Sequence, residues 1–239
     1  EHGAIEGLFT ATEETGMDGA FGLKGGLLKG DILLNLDSET EGELYVGCAG
    51  GTDVNASLAY TAEPAPAGYE AVEIAVKGCK GGHSGIQIVC QRANANKLLF
   101  RLLRKLAAKM EIKLASVDGG GLRNAIPRES VAIVLVKAAD MEALQAEVAA
   151  FEAMAIAEYA AVEDAISVKA VAAAMPANVI PCAVAKSLMA AMVACPDGVD
   201  KMSLAMEGLV QTSNNMARVV SDGSSVKVQC LTRSSVRSE

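Results

Sequence analysis

The sequence predicts a short α/β segment followed by an α+β layer, in which an antiparallel sheet carries helices on one face. Three observations predict this. Apolar runs, polar turns and a short helical stretch succeed one another over residues 4–36, the rhythm of a parallel α/β sheet. After Gly50-Gly51 apolar and polar side chains alternate, which suits antiparallel strands with one solvated face. From residue 94 onward helical and strand-like stretches interleave.

The first element, Ala4 to Thr12, is apolar with β-branched residues and reads as a buried strand, followed directly by Glu13-Glu14. Met17 to Leu23 reads as a short helix stopped by Gly25-Gly26, and Asp31 to Leu36 as a second apolar run ending at Asp37. In a parallel sheet, functional residues gather just past the C-terminal ends of strands, where Glu13-Glu14 and Asp37 both fall. Asp53 to Thr61 and Ala71 to Val76 alternate as strands, joined by a turn at Glu63-Pro64-Ala65-Pro66-Ala67-Gly68.

An amphipathic helix is expected from about Asn94 to Met110, with Leu98, Leu99, Leu102, Leu103 and Leu106 inward and Arg101, Arg104 and Lys105 outward. Glu111 to Val117 reads as a strand ended by Asp118-Gly119-Gly120-Gly121, and Ser130 to Val136 as another. A long Ala- and Glu-rich helix spans Met141 to about Val162. A strand over Ile166 to Ala172, a helix over about Val184 to Ala194 and strands over Met206 to Gln211 and Ser225 to Leu231 complete the set.

Composition narrows the function. With 51% hydrophobic and 21% charged residues in 239, the chain is a folding, globular one with enough length for a real core. The net charge of −8 and the lack of a basic patch argue against nucleic-acid binding. Aromatics at 3%, without Trp, remove the stacking platform of a single-strand binder. No apolar run is long enough to span a bilayer. The six cysteines form no C-x-x-C pair and sit in apolar runs, which suits buried free thiols and a cytoplasmic location. The chain opens on Glu1-His2-Gly3, with neither an initiator Met nor a leader, so it is expected to begin within a longer protein.

Five places could carry chemistry. Thr12-Glu13-Glu14 reads in isolation as a helix cap. Two adjacent carboxylates could instead divide duties, one ligating a metal and one taking a proton from metal-bound water. Asp37 is either a turn residue or a ligand facing the same crevice. His83, in Gly81-Gly82-His83-Ser84-Gly85, is either a surface histidine or a donor to an oxyanion or a metal ligand. Asn124, in the loop Leu122 to Arg128, could hydrogen-bond a peptide carbonyl or carboxylate, and Arg233 could grip a carboxylate. There is no G-x-S-x-G, phosphate-binding loop or H-E-x-x-H motif.

Taken together these segments resemble the aminoacyl-histidine dipeptidases, also called Xaa-His or cytosol non-specific dipeptidases (peptidase D). They are dinuclear-zinc metallopeptidases related to carnosinase and aminoacylase. The runs that carry the resemblance are TEETGMDGAFGL (12–23), DILLNLDSETEGELYVGCAGG (31–51), PAGYE (66–70) and KGCKGGHSG (77–85). NANKLL (94–99), GGGLRNAIPRE (119–129), QTSNN (211–215) and CLTRS (230–234) continue it.

The resemblance implies a piece of a zinc-peptidase α/β catalytic domain over residues 1–50. It implies a nearly complete lid and dimerisation domain over 51–239. It implies Glu13 as general base, Glu14 as a ligand of one metal and Asp37 of the other. His83 resembles the lid histidine that polarises the scissile carbonyl. Asn124 and Arg233 resemble lid residues that orient the substrate, with Arg233 on its C-terminal carboxylate. The cofactor implied is two divalent metal ions, zinc in the first place, with manganese and cobalt as alternatives.

The family's H-x-D motif, bridging Asp and final His have no counterpart here, so the metal site is expected to be incomplete and the chain alone inactive. Ile86 and Val89 stand where relatives often carry Gly and a second His. The substrate implied is a dipeptide, Xaa-His among others, with room for a homodimer through the lid and no nucleic-acid or membrane partner. Other readings are an aminoacylase or tripeptidase of the same family, or a non-catalytic lid module.

Overall fold

Among the described residues every strand pairing is antiparallel. The computed structural model describes residues 2–13, 16–38, 40–45 and 47–239. The chain divides into two compact units, residues 1–47 and 48–239.

In the first unit the regular element among the described residues is α1 (Asp18–Phe21), a single turn inside the expected helix. The runs Ala4–Thr12 and Asp31–Leu36, expected as strands, form none, and the parallel sheet expected there is absent from the described residues. Ile5, Phe9, Ile32, Leu33, Leu34 and Leu36 stand open to solvent. Apolar content supplies the drive for a strand to be buried, but a strand exists only through a neighbour that completes its backbone hydrogen bonds. The described part of this unit offers no such neighbour.

The second unit begins with β1 (Gly50–Ala59), β2 (Glu63–Pro64), β3 (Tyr69–Lys77) and β4 (Gly82–His83). Then come α2 (Ala95–Lys109), β5 (Ile112–Gly120), β6 (Ala125–Ile126), β7 (Ser130–Lys137), α3 (Met141–Glu158) and β8 (Ser167–Ala172). The chain closes with β9 (Asn178–Val179), α4 (Cys182–Ala194), β10 (Gly198–Met202), β11 (Val210–Ser221) and β12 (Ser225–Ser234). The main sheet runs β1-β12-β11-β5-β7-β3-β8, with β10 paired to β11. Two small ladders, β2 with β9 and β4 with β6, stand apart from it.

The helices share one face. Leu98, Leu99, Phe100, Leu102, Leu103 and Leu106 of α2 are fully buried in one cluster with Val72, Ile74 and Val76 of β3 and Val134 and Val136 of β7. Leu144, Val148 and Phe151 of α3 and Leu188, Met189 and Met192 of α4 join the same cluster. The alternate residues Ala71 of β3 and Leu135 of β7 form a much smaller cluster with Val179, as the two-residue period of a strand requires. Burying each leucine of α2 contributes roughly 1.5–3 kcal/mol, so this stripe dominates the stability of the layer.

α2 starts where Asn94 caps it, its side-chain oxygen accepting from the N–H groups of Asn96 (3.0 Å) and Lys97 (3.3 Å). Lys97 then reaches the end of α4 and donates to the carbonyls of Met192, Val193 and Cys195 at 3.0, 2.9 and 2.6 Å. An ammonium there meets the negative end of the helix dipole. On the outer face Arg101 pairs with Glu158 of α3 at 2.7 Å.

Several boundaries differ from expectation, as α3 ends at Glu158 rather than about Val162 and β12 runs past Leu231 to Ser234. β5 does not stop at Asp118 but runs through Gly119 and Gly120, which pair with Val219 and Arg218 of β11. Gly120 has φ +73°, and a Cβ there would lie 1.9 Å from the carbonyl oxygen of Ala217, so the glycine permits close strand approach rather than ending the strand. The expected strand over Met206–Gln211 is mostly a bend, stitched by Ser203 Oγ accepting from the N–H groups of Ala205 and Met206. The long strand follows it as β11.

Candidate active site

His83 ends β4, which pairs with β6 so that Gly82 faces Ile126 and His83 faces Ala125. A Cβ on Gly82, where φ is +140°, would fall 2.4 Å from Oε1 of Gln87. That same Oε1 accepts the N–H of His83 at 2.9 Å, so the glycine lets the loop fold back on itself. The N–H groups of Gly85 (3.1 Å) and Ile86 (3.2 Å) both donate to Nδ1 of His83. Two backbone donors require a lone pair on Nδ1, and in that tautomer the ring proton sits on Nε2. The loop therefore leaves an exposed imidazole with an N–H donor at its far edge.

Asn124 lies beside it. Its carbonyl oxygen accepts the N–H of Ser84 at 2.7 Å, and both Asn124 and His83 line a cleft of about 570 Å³ together with Leu122, Pro127 and Arg128. Buried Asn215 of β11 holds the other side of the loop, donating to the carbonyls of Arg123 (3.3 Å) and Ala125 (2.9 Å).

Arg233, near the end of β12, comes to the same place. A Cβ built on Gly85 would lie 3.0 Å from Cε1 of His83 and 3.3 Å from Cζ of Arg233, so the glycine keeps imidazole and guanidinium close. Arg233 Nε is buried without a hydrogen-bond partner among the described residues. Burial lowers the guanidinium's proton affinity, and the positive charge of Arg123 lowers it further, against the opposing charge of Asp53. Arg123 and Asp53 stand 3.4 Å apart. A half-buried, under-partnered arginine beside a second arginine is a setting that a carboxylate would relieve.

Asp53, Asn215 and Glu163 are parts of this region that the sequence reading missed. Glu163 is buried and its two oxygens accept from the N–H of Lys80 (2.8 Å) and of Ala93 (3.0 Å), tying both ends of the His83 loop to the core. Their signal was weak: Asn214-Asn215 sit in the polar stretch Gln211 to Asn215, which gives no sign that Asn215 is buried.

In the first unit, Glu13 and Asp37 are exposed, and Asp37 donates its N–H to the Asn35 side chain, two residues back, at 2.9 Å. Glu14 lies outside the described residues. The helix-cap alternative for Thr12 does not hold, because α1 starts from Met17 with no side-chain cap. Among the described residues no group of three or more His, Cys, Asp or Glu side chains could hold a metal ion, so they do not by themselves fit a dinuclear centre. The thiols also depart from expectation. Cys79 and Cys230 are buried, but Cys48, Cys90 and Cys182 are exposed, the last two at the ends of helical turns.

Residues 74–163 match the peptidase dimerisation domain family. The cytosol non-specific dipeptidase of Escherichia coli (strain K12) is 40% identical over 237 residues, covering 99% of this chain and 49% of that protein. The crystal structure of aminoacylhistidine dipeptidase from Vibrio alginolyticus is 42% identical, with a TM-score of 0.84 over 96% of this chain and 47% of that one. The chain spans about half the length of these relatives. The resemblance carried by the motifs thus extends along almost the whole chain, which is similar throughout to these two dipeptidases and matches the peptidase dimerisation domain family over residues 74–163.

Proposed function

We propose that this chain supplies the lid of a metal-dependent dipeptidase, with an adjoining piece of its catalytic domain, and that the parent hydrolyses Xaa-His and other dipeptides bearing a free C-terminus. The lid would be residues 51–239 and the catalytic piece residues 1–50. The observation that carries this is the meeting near Gly85 of a histidine N–H donor and a half-buried Arg233 whose Nε has no partner among the described residues. Such a pair is suited to one small substrate with a polarisable carbonyl and a terminal carboxylate.

In this reading Nε2 of His83 donates to the scissile carbonyl oxygen and strengthens that bond as negative charge develops. Arg233 binds the C-terminal carboxylate, and Asn124 orients the substrate backbone. Glu13 takes the proton of the attacking water and returns it to the leaving amine. The names of the relatives support the reaction class, and two divalent ions, zinc first, are what the resemblance supplies. Because the described residues do not form a metal centre, residues 1–239 alone are expected to be inactive, with Glu14 and Asp37 as ligands in the parent. The open apolar surface of residues 5–36 fits a segment that packs against the rest of a catalytic domain.

A homodimer through the lid is supported by the match to the dimerisation domain and by the open edge of β8, where Val171 is 54% exposed. A cytoplasmic location is supported by the free thiols and the relative's name, and no helix among the described residues is long and apolar enough to cross a membrane.

The test is the substrate preference of the full-length parent across dipeptides, tripeptides and N-acyl amino acids. Dipeptides should be preferred, and amidating the C-terminus should abolish the preference. Equal use of N-acyl amino acids would favour an aminoacylase instead.

A further inference from the structure

Away from the His83 cleft two nucleophilic side chains meet that the dipeptidase reading does not use. Cys195 follows the last residue of α4, and Cys230 lies in β12. Their Sγ atoms are 3.9 Å apart. Cys230 is buried within the helix-facing cluster, whereas Cys195 is half-buried at a helix end, with Pro196 exposed beside it.

The environment makes the two thiols unequal. Hydrogen bonding with Cys230 brings Cys195 down to about 7, against the effects of burial and of Asp197, and the Lys97 ammonium assists. The same hydrogen bond and burial push Cys230 upward. A half-buried thiol of lowered proton affinity beside a buried partner is the arrangement of an attacking and a resolving cysteine.

We propose that Cys195 and Cys230 are a peroxide-responsive dithiol that closes to a reversible disulfide, tethering the end of α4 to β12. Cys195 loses its proton to solvent, and the thiolate sulfur attacks one oxygen of hydrogen peroxide. The S–O bond forms, the O–O bond breaks, and hydroxide leaves and is protonated to water. The Cys230 sulfur then attacks the resulting sulfenic acid. The S–S bond forms, the S–O bond breaks, and the Cys230 proton leaves with the hydroxide as a second water. Two thiols are oxidised by two electrons and the peroxide is reduced by two. A dithiol reductant reverses the step.

A disulfide brings the sulfurs to about 2.05 Å. Closing the pair therefore needs the sulfurs to approach from 3.9 Å, with Cys195, at the helix end, the less buried of the two. The tether would hold β12 three residues before Arg233, which lies on the opposite side of the strand by its two-residue period.

The experiment treats the full chain with hydrogen peroxide, blocks the remaining thiols with iodoacetamide and maps peptides without reduction. The expected result is a linked pair of peptides carrying Cys195 and Cys230, lost on adding dithiothreitol and missing from Cys195→Ser. Cys195 should also alkylate about tenfold faster than Cys230 at neutral pH in the untreated chain. Oxidation of Cys195 to sulfinic acid with Cys230 left free, linkage of Cys195 to another cysteine, or equal alkylation rates would overturn the proposal. Cys230 sits in the core, so the decisive readings are made on the unmutated chain and on Cys195→Ser, which alters only the half-buried partner.

Discussion

The N–H of Ser84 donates to the carbonyl oxygen of Asn124 at 2.7 Å. With the β4–β6 ladder this bond joins two loops that are 40 residues apart in sequence and keeps His83 and Asn124 on one cleft. The loops are anchored separately behind it, one by Glu163 and the other by Asn215. Each loop thus has its own buried side-chain anchor, and each anchor can be removed by a single substitution.

Removing Asn215 should loosen the Asn124 loop. Asn215→Ala leaves the carbonyls of Arg123 and Ala125 without their donor in a buried setting, at a cost of about 1–3 kcal/mol. Urea unfolding should show this as a lower midpoint with an unchanged slope. An unchanged midpoint would mean that water replaces the amide.

Glu163→Ala should act on the other loop. The N–H groups of Lys80 and Ala93 lose their acceptor, so their hydrogen exchange should accelerate more than that of the α2 core amides. Global stability should fall by about 1–3 kcal/mol. Uniform acceleration across the unit would show that Glu163 is a general stabiliser and not a loop anchor.

Gly120→Ala should be among the most costly single-methyl additions in the chain. The new Cβ would meet a backbone oxygen at 1.9 Å on a residue with φ +73°. Left-handed strain and overpacking together suggest a loss of about 3 kcal/mol. A thermal melt within a degree of the parent would contradict the strand approach described for β5 and β11.

Asp197 predicts a pH dependence. Burial pushes its carboxyl up to about 6, while Met216 N–H, the Lys97 charge and the Asn94 amide pull the other way. An acid with a raised folded pKa binds more protons folded than unfolded. Its contribution therefore favours the fold at low pH and is lost as pH rises from about 4 to about 6. Asp197→Asn keeps the hydrogen-bond acceptor without the charge. The stability of the parent relative to this variant should fall across that window. Parallel stability profiles would remove Asp197 as the cause.

The parts of this molecule legible in the sequence are those with a local period. The leucine stripe of α2, the alternation of β3 and the apolar run of β7 follow from side-chain spacing alone. β11 was not legible, because Asn214, Asn215 and Arg218 interrupt its alternation and serve cross-strand duties. Ala4–Thr12 and Asp31–Leu36 misled for the opposite reason, since their apolar residues say what is to be covered and not by what. In the site, His83, Asn124 and Arg233 stand out through their glycine-rich or strand-end settings. Glu163 lies 80 residues beyond His83, and only the folded chain shows that it holds that loop.

The central claim is that His83 presents an N–H to a developing oxyanion in a dipeptidase. It is tested most directly by steady-state hydrolysis of an Xaa-His dipeptide by the full-length parent and its His83→Ala variant. Loss of one oxyanion donor predicts a fall in kcat of about 100- to 1,000-fold with KM little changed. A kcat equal to that of the parent would contradict the assignment.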